Sequence, residues 1–236
     1  MIKLKIYLKL LIFTLLLNQN LLAQLTIDEI IDKNLAITGL LSENKAISSF
    51  EIGGKFTQNQ FGFPIKMWVI LPNHLRMNMV FNGVNFVKSS DGVTDWESSP
   101  MKDTIMVKKG KPGEANDFYS RWTGSLSWFK EGKITGELIG VETIEDVETY
   151  KLKIKKGDKT RIYYIDKLSF LLLRVDDDEN AKKITYYSDY KKVGDYLLAH
   201  KMEGFESGKL AIIMEFESVK INTSVDMELF KVPEKE

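Results

Sequence analysis

Two histidines, His74 and His200, are the only imidazoles in the 236-residue chain. A serine nucleophile needs such a base, an acid behind it and a sharp turn that lifts the hydroxyl. No G-x-S-x-G stretch is present, His74 follows Pro72-Asn73 at a strand edge, and His200 ends a strand, so strand-end roles fit both. Two scattered histidines and no cysteine do not make a zinc site. The run Asp176, Asp177, Asp178, Glu179, Asn180 has the oxygens of a calcium loop. It lacks the central glycine and the distant glutamate of that pattern, so a solvated hairpin tip is the expectation. There is no G-x-G-x-x-G and no Walker motif. The residue types that carry chemistry therefore point to no enzyme, no cofactor and no metal.

The N-terminus has a different character. Lys3, Lys5 and Lys9 precede the apolar run Leu10 to Leu17, and Leu21-Leu22-Ala23 offers a small residue for cleavage before Gln24. This is the order of parts in a secretory signal, and the apolar run is far shorter than the ~20 residues of a spanning helix. Residues 1–23 are expected to be removed, leaving residues 24–236 as one domain in the periplasm. The whole chain balances 33 basic against 33 acidic residues; without the three signal lysines the balance is 30 against 33, a net of −3. Nucleic-acid binding calls for a basic stripe, so it is not expected. With no cysteine there is no disulfide and no lipidated anchor of the bacterial lipoprotein kind.

The elements read in sequence are one helix, then strands. Thr26 and Glu29 have capping-box spacing, Ile27, Ile30, Ile31 and Leu35 share a helical face, and Gly39 stops the helix. A short turn is expected over Leu41 to Ala46. From Ser48 the apolar period becomes two. Asn82-Gly83 and Asp91-Gly92 are hairpin turns. Met101 to Gly113 is polar and reads as a loop. Ala115 to Phe129 has helical aromatic spacing weakened by Gly124, Ser125 and Ser127, so a short helix and an ordered aromatic segment both fit. The remainder, from Glu137 to Ile221, is a meander of strands at about ten-residue intervals. The fold class is mainly β.

The most informative residues are apolar. Ile65, Met67, Val69 and Leu71 alternate with other residues along one strand, and Leu75, Met77, Met79 and Phe81 along the next; Phe50 and Ile52 extend the surface from the strand before. A packed core and a lipid-binding hollow read alike in such a pattern, and pattern alone favours the core. Methionine adapts to irregular apolar partners, and Met67, Met77 and Met79 cluster here. Phe118, Trp122 and Phe129 would cap the surface as a lid.

The stretch Val69-Ile70-Leu71-Pro72-Asn73-His74-Leu75-Arg76-Met77, the pattern Asp91-Gly92-x-x-x-Trp96 and the ending Asp226 to Pro233 (DMELFKVP) resemble the LolA/LolB-like lipoprotein-carrier superfamily, in its Bacteroidetes-type LolA-like form. The resemblance covers nearly all of residues 24–236. It implies a curved antiparallel half-barrel with helices covering the concave face, a role in outer-membrane lipoprotein sorting, and acyl chains of lipids or lipoproteins as partners of a monomer. The founding carrier has a lid-latching arginine immediately before the Pro-Asn, where this chain has Leu71. An alternative on the same fold is a non-catalytic envelope sensor or scaffold that holds a protein partner.

Overall fold

The computed structural model describes residues 25–41, 47–99, 104–177 and 182–233. The signal segment and most of the turn expected over Leu41 to Ala46 lie outside them.

Helix α1 (Ile27–Thr38) starts on a complete capping box: the Thr26 hydroxyl accepts from the Glu29 N–H, and the Glu29 carboxylate accepts from the Thr26 N–H at 2.7 Å. It ends at Gly39, whose φ of 77° is open to glycine and which lies against the backbone of Asp195. The periodic residues Ile30, Ile31 and Leu35 are buried.

The strands are β1 (Ser49–Gln58), β2 (Phe61–Ile70), β3 (His74–Phe81), β4 (Val84–Ser90), β5 (Thr94–Ser99), β6 (Thr104–Lys109), β7 (Thr135–Ile144), β8 (Val147–Lys156), β9 (Lys159–Asp166), β10 (Leu172–Asp176), β11 (Lys183–Val193), β12 (Tyr196–Glu206) and β13 (Lys209–Ile221). They form one curved, open, antiparallel sheet, a half-barrel, in the order β6-β5-β4-β3-β2-β1-β13-β12-β11-β10-β9-β8-β7. The first and last strands therefore meet at its centre, and the edges are β6 and β7. Helices α2 (Glu114–Thr123) and α3 (Ser127–Lys130) carry the chain from one edge to the other.

Two sequence expectations change. Residues 104–109, read as loop, are the edge strand β6, paired with β5 from Thr94↔Lys109 to Ser99↔Thr104. Lys108, Lys109 and the following Gly110-Lys111-Pro112 gave the stretch a loop's composition, but charged residues are also what keeps an edge strand from pairing further. The acidic run is not simply a solvated tip. Asp176 is buried at the end of β10, bound by the Arg174 guanidinium at 2.6 and 2.8 Å and by the Tyr164 hydroxyl at 3.1 Å. Asp177 pairs with Arg161 at 2.7 Å, and residues 178–180 lie outside the described residues. The aromatic middle segment is helical but broken, because Gly124 takes a φ of 79° between α2 and α3.

The helix-covered inner face holds two apolar clusters. α1, Leu126 and Ile134 pack on Leu152, Ile154, Ile165 and Leu172 of the β7-side half. α2 packs through Ala115 and Trp122 on Phe50, Ile52, Val69 and Phe216 of the central strands. On the outer face the C-terminal turn Met227–Phe230 lies over β3 to β5. The Trp96 indole N–H and the Ser89 hydroxyl both donate to the Phe230 carbonyl, and the Arg76 guanidinium donates to the Leu229 carbonyl.

The sheet bends where β1 meets β13. Their register shifts between Gly53 and Gly54, and a Cβ on Gly54 would stand 2.0 Å from the Glu215 carbonyl oxygen. A side chain there displaces a central strand pair. Gly54→Ala should therefore destabilise the protein by about 2 kcal/mol or more in urea unfolding. Gly62→Ala meets only the flexible end of Lys55 and should stay within about 0.5 kcal/mol of the parent.

Candidate functional site

The inner face contains a half-open hollow of about 720 Å³ beneath and beside α2, within the about 300–1,000 Å³ range of small-molecule sites. Its apolar floor comes from both halves of the sheet: Met67, Leu75 and Met77 on one side, Met202, Ile212 and Met214 on the other. Phe118 of α2 hangs over it, and Tyr163, Val175 and Tyr187 extend it toward β9–β11.

Strand pairing puts these residues together. Met67 faces Met77 across β2–β3, and Met202 faces Met214 across β12–β13. Paired residues in antiparallel strands share a face, so each methionine pair projects inward together. Met77, Met202 and Met214 are only half-buried, leaving their thioethers part of the wall rather than sealed in the interior.

The ten apolar candidates separate by whether they border the hollow rather than by burial, since Met67 and Leu75 are buried too, at 2% and 7% exposure. Phe50, Ile52, Ile65 and Val69 are packed core, with Phe50 and Val69 at 0 % exposure. Met67, Leu75 and Met77 line the hollow. Leu71 and Met79 are half-buried flanking residues of the same cluster. Phe81 lies exposed at the far rim, 5.4 Å from the Phe63 ring. The three aromatic lid candidates also divide. Phe118 overhangs the hollow, while Trp122 is buried between Phe50 and Phe216 with ring centroids 5.1 Å from each. Phe129 packs with the other cluster, around α1.

α2 is fastened at both ends. Asn116 donates to the Pro72 carbonyl at 3.1 Å, and the Gly113 N–H donates to the Asn73 side chain at 2.9 Å. At its C-terminal end the Trp122 indole N–H donates to the Ala199 carbonyl at 2.7 Å, and the Tyr187 hydroxyl to the Arg121 carbonyl at 2.7 Å. The Pro72-Asn73 turn thus seats the helix as well as reversing the chain. Leu71, immediately before Pro72-Asn73, joins the apolar cluster beneath α2. Arg76 points outward, where it also bonds Asn78 at 2.9 Å and lies over the Trp96 ring.

Sequence reasoning did not find Met202, Ile212, Met214, Tyr163, Val175 or Tyr187. Each is one apolar position in an ordinary meander, and only the β1–β13 pairing brings it opposite Met67 and Met77. The histidines do other work. His74 packs edge-to-face on Phe230 at 5.1 Å, and buried His200 places Nδ1 2.9 Å from the Leu198 carbonyl oxygen. Among the described residues no group of histidine, aspartate and glutamate is arranged to hold a metal ion, and no helix is long and apolar enough to cross a membrane.

Three solved structures share this architecture. A DUF1329 family protein from Desulfovibrio piger superposes with a TM-score of 0.57 at 12% identity, covering 87% of this chain and 97% of its own. A LolA superfamily protein from Nitrosomonas europaea gives 0.54 at 8% identity, covering 89% and 99%. A putative outer membrane lipoprotein-sorting protein domain from Vibrio parahaemolyticus gives 0.51 at 16% identity, covering 85% and 97%. No protein-family model and no curated protein matches the sequence. The chain has a LolA-like fold, an architecture that a lipoprotein-sorting domain also has.

Trp122 tests how α2 is held. Trp122→Phe keeps the ring stack but leaves the buried Ala199 carbonyl without its donor, which should cost about 1–3 kcal/mol in urea unfolding. Amide exchange should quicken along α2 before it does in the sheet. A second expectation concerns alkali. Burial first, then neighbouring Tyr196 and Glu131, pushes the Tyr119 phenol up to about 12. The folded state therefore holds this proton more tightly than the unfolded chain, whose phenols titrate near about 10. The stability contributed is complete below about pH 10 and is lost as the pH rises toward the folded value. Urea midpoints should fall over that window, and Tyr119→Phe should lessen the fall.

Proposed function

We propose that this protein is a periplasmic carrier that shields an acyl chain of a lipid or lipoprotein in the inner hollow, acting in outer-membrane lipoprotein sorting. The carrying observation is the hollow itself: a half-open apolar trough under a pinned helix, walled by methionines from both halves of the sheet. Burying acyl carbon contributes ~0.8 kcal/mol per CH₂, so a chain of ~16 carbons gains on the order of 12 kcal/mol before the costs of binding. A carrier has to hold the chain against water and still release it. Adaptable thioether walls suit that task better than a rigid fit. The N-terminal segment supports export, with cleavage after Ala23 and residues 24–236 working as one monomeric domain. Shielding needs no covalent step, so no catalytic residues are assigned.

A face-specific pair of substitutions tests the assignment. Met77→Asp puts a carboxylate into the apolar wall and should weaken binding of a fluorescent fatty acid by about tenfold or more. Asn78→Asp lies on the other face, next to the Arg76 guanidinium, and should leave binding within about twofold of the parent. Equal losses in two folded variants would remove the hollow as the binding site. Failure of the folded mature protein to bind any acyl ligand would remove the carrier reading itself.

A further inference from the structure

The hollow's polar lining is built unevenly. Five carboxylate residues line it: Asp95, Glu114, Asp117, Asp177 and Glu206. Four have cationic partners: Glu114 with Lys88 at 3.3 Å, Asp117 with Lys111 at 3.6 Å, Asp177 with Arg161 at 2.7 Å and Glu206 with Lys183 at 3.3 Å. Asp95 has none. It is 7% exposed, and its Oδ1 is buried without a hydrogen-bond partner among the described residues. A buried acceptor without a donor is costly to the free protein, and hydrogen bonds to ionised groups are the strong ones.

Its position relative to the apolar floor follows from register. Val69 pairs with Leu75, Leu75 with Ser90, Ser90 with Asp95, and Asp95 with Lys108. These five side chains form one inward row across five strands. Asp95 is two strands from Leu75, hence about 10 Å from the apolar floor along the row. The nearby cations are already matched: Lys88 with Glu114, and Lys108 within 4.0 Å of Glu97. Arg121, which also lines the hollow, is exposed on α2, where water screens its charge.

From this geometry we infer that Asp95 reads the head of the bound molecule, and that the hollow prefers acyl ligands whose head carries an N–H donor, an amide or an ammonium, over those ending in a carboxylate. The inference rests on the carrier reading and names the class of ligand that the hollow takes. The tail lies on Met67, Leu75 and Met77, and the head donates to the Asp95 carboxylate. An amide donor corresponds to an N-acylated chain terminus and an ammonium to an amine-headed lipid. The two sources share the donor chemistry and are separated by probe.

Three probes of equal chain length make the test by calorimetric titration of the mature protein: N-dodecanoyl glycinamide, dodecylammonium and dodecanoate. At least one N–H probe should bind about ten- to a hundredfold tighter than dodecanoate. A lead for the glycinamide indicates an N-acyl ligand, and a lead for the ammonium an amine-headed lipid. Asp95→Asn is nearly isosteric and should cut that preference to about threefold or less while dodecanoate affinity holds or rises. Asp95→Leu should abolish the preference, and its urea midpoint should not fall below the parent's, because the free protein loses an unsatisfied buried carboxylate. No preference in the parent, or a preference that survives both variants, overturns the inference and leaves the carrier reading standing. Binding of none of the three probes by the folded parent overturns both.

Discussion

The pairing of β1 with β13 at the centre of the sheet constrains everything else. It sends the consecutive strands β6 and β7 to opposite edges, so the chain between them has to cross the inner face. That connection covers residues 110–134; at full stretch, with its helical turns, it reaches about 58 Å. A flat sheet with 12 gaps between its 13 strands would be about 58 Å wide, leaving no slack. Curvature shortens the path. The Gly53-Gly54 irregularity lies in the central strand pair, where bending brings the two edges closest. Closing the two meanders against each other and roofing them with α2 are therefore one structural event.

The roof is bonded at both ends, and what lies beneath it differs from place to place. Phe50, Ile52 and Val69 lie under Trp122, whose indole N–H leaves no polar atom stranded. In the same cross-strand rows, Met67, Leu75 and Met77 border the hollow from one side, with Met202, Ile212 and Met214 on the other. One alternating pattern thus serves two purposes, according to which part of α2 lies above it.

The outer face carries a separate device. Arg76, Ser89 and Trp96 hold the C-terminal turn through its carbonyls, and Phe230 fills the space beside His74. Arg76 lies close to Pro72-Asn73 in the chain. Its parity in β3 turns it away from α2. The ending Asp226 to Pro233 is the strap that this arginine holds.

Local physics was legible in the residues. The Thr26–Glu29 box, the Gly39 stop, the two glycine hairpins and the period-two strands depend on neighbours within a few positions, and all are where the residue types require. The inward parity of Met67, Leu75 and Met77 was set in the same way. Only the tertiary structure decided which of those inward residues are core and which are wall, because that depends on where a helix some 40 residues later comes to rest. It also decided that β6 is an edge strand, since its pairing with β5 outweighs a loop-like composition. It buried Asp176 on the outer face against Arg174 and left Asp95 on the inner face with no hydrogen-bond partner for its Oδ1 among the described residues. Two aspartates of the same chemistry differ because a guanidinium binds one, while the lysine opposite the other, Lys108, stands toward Glu97, and that distinction lies in the pairing of strands rather than in the order of residues.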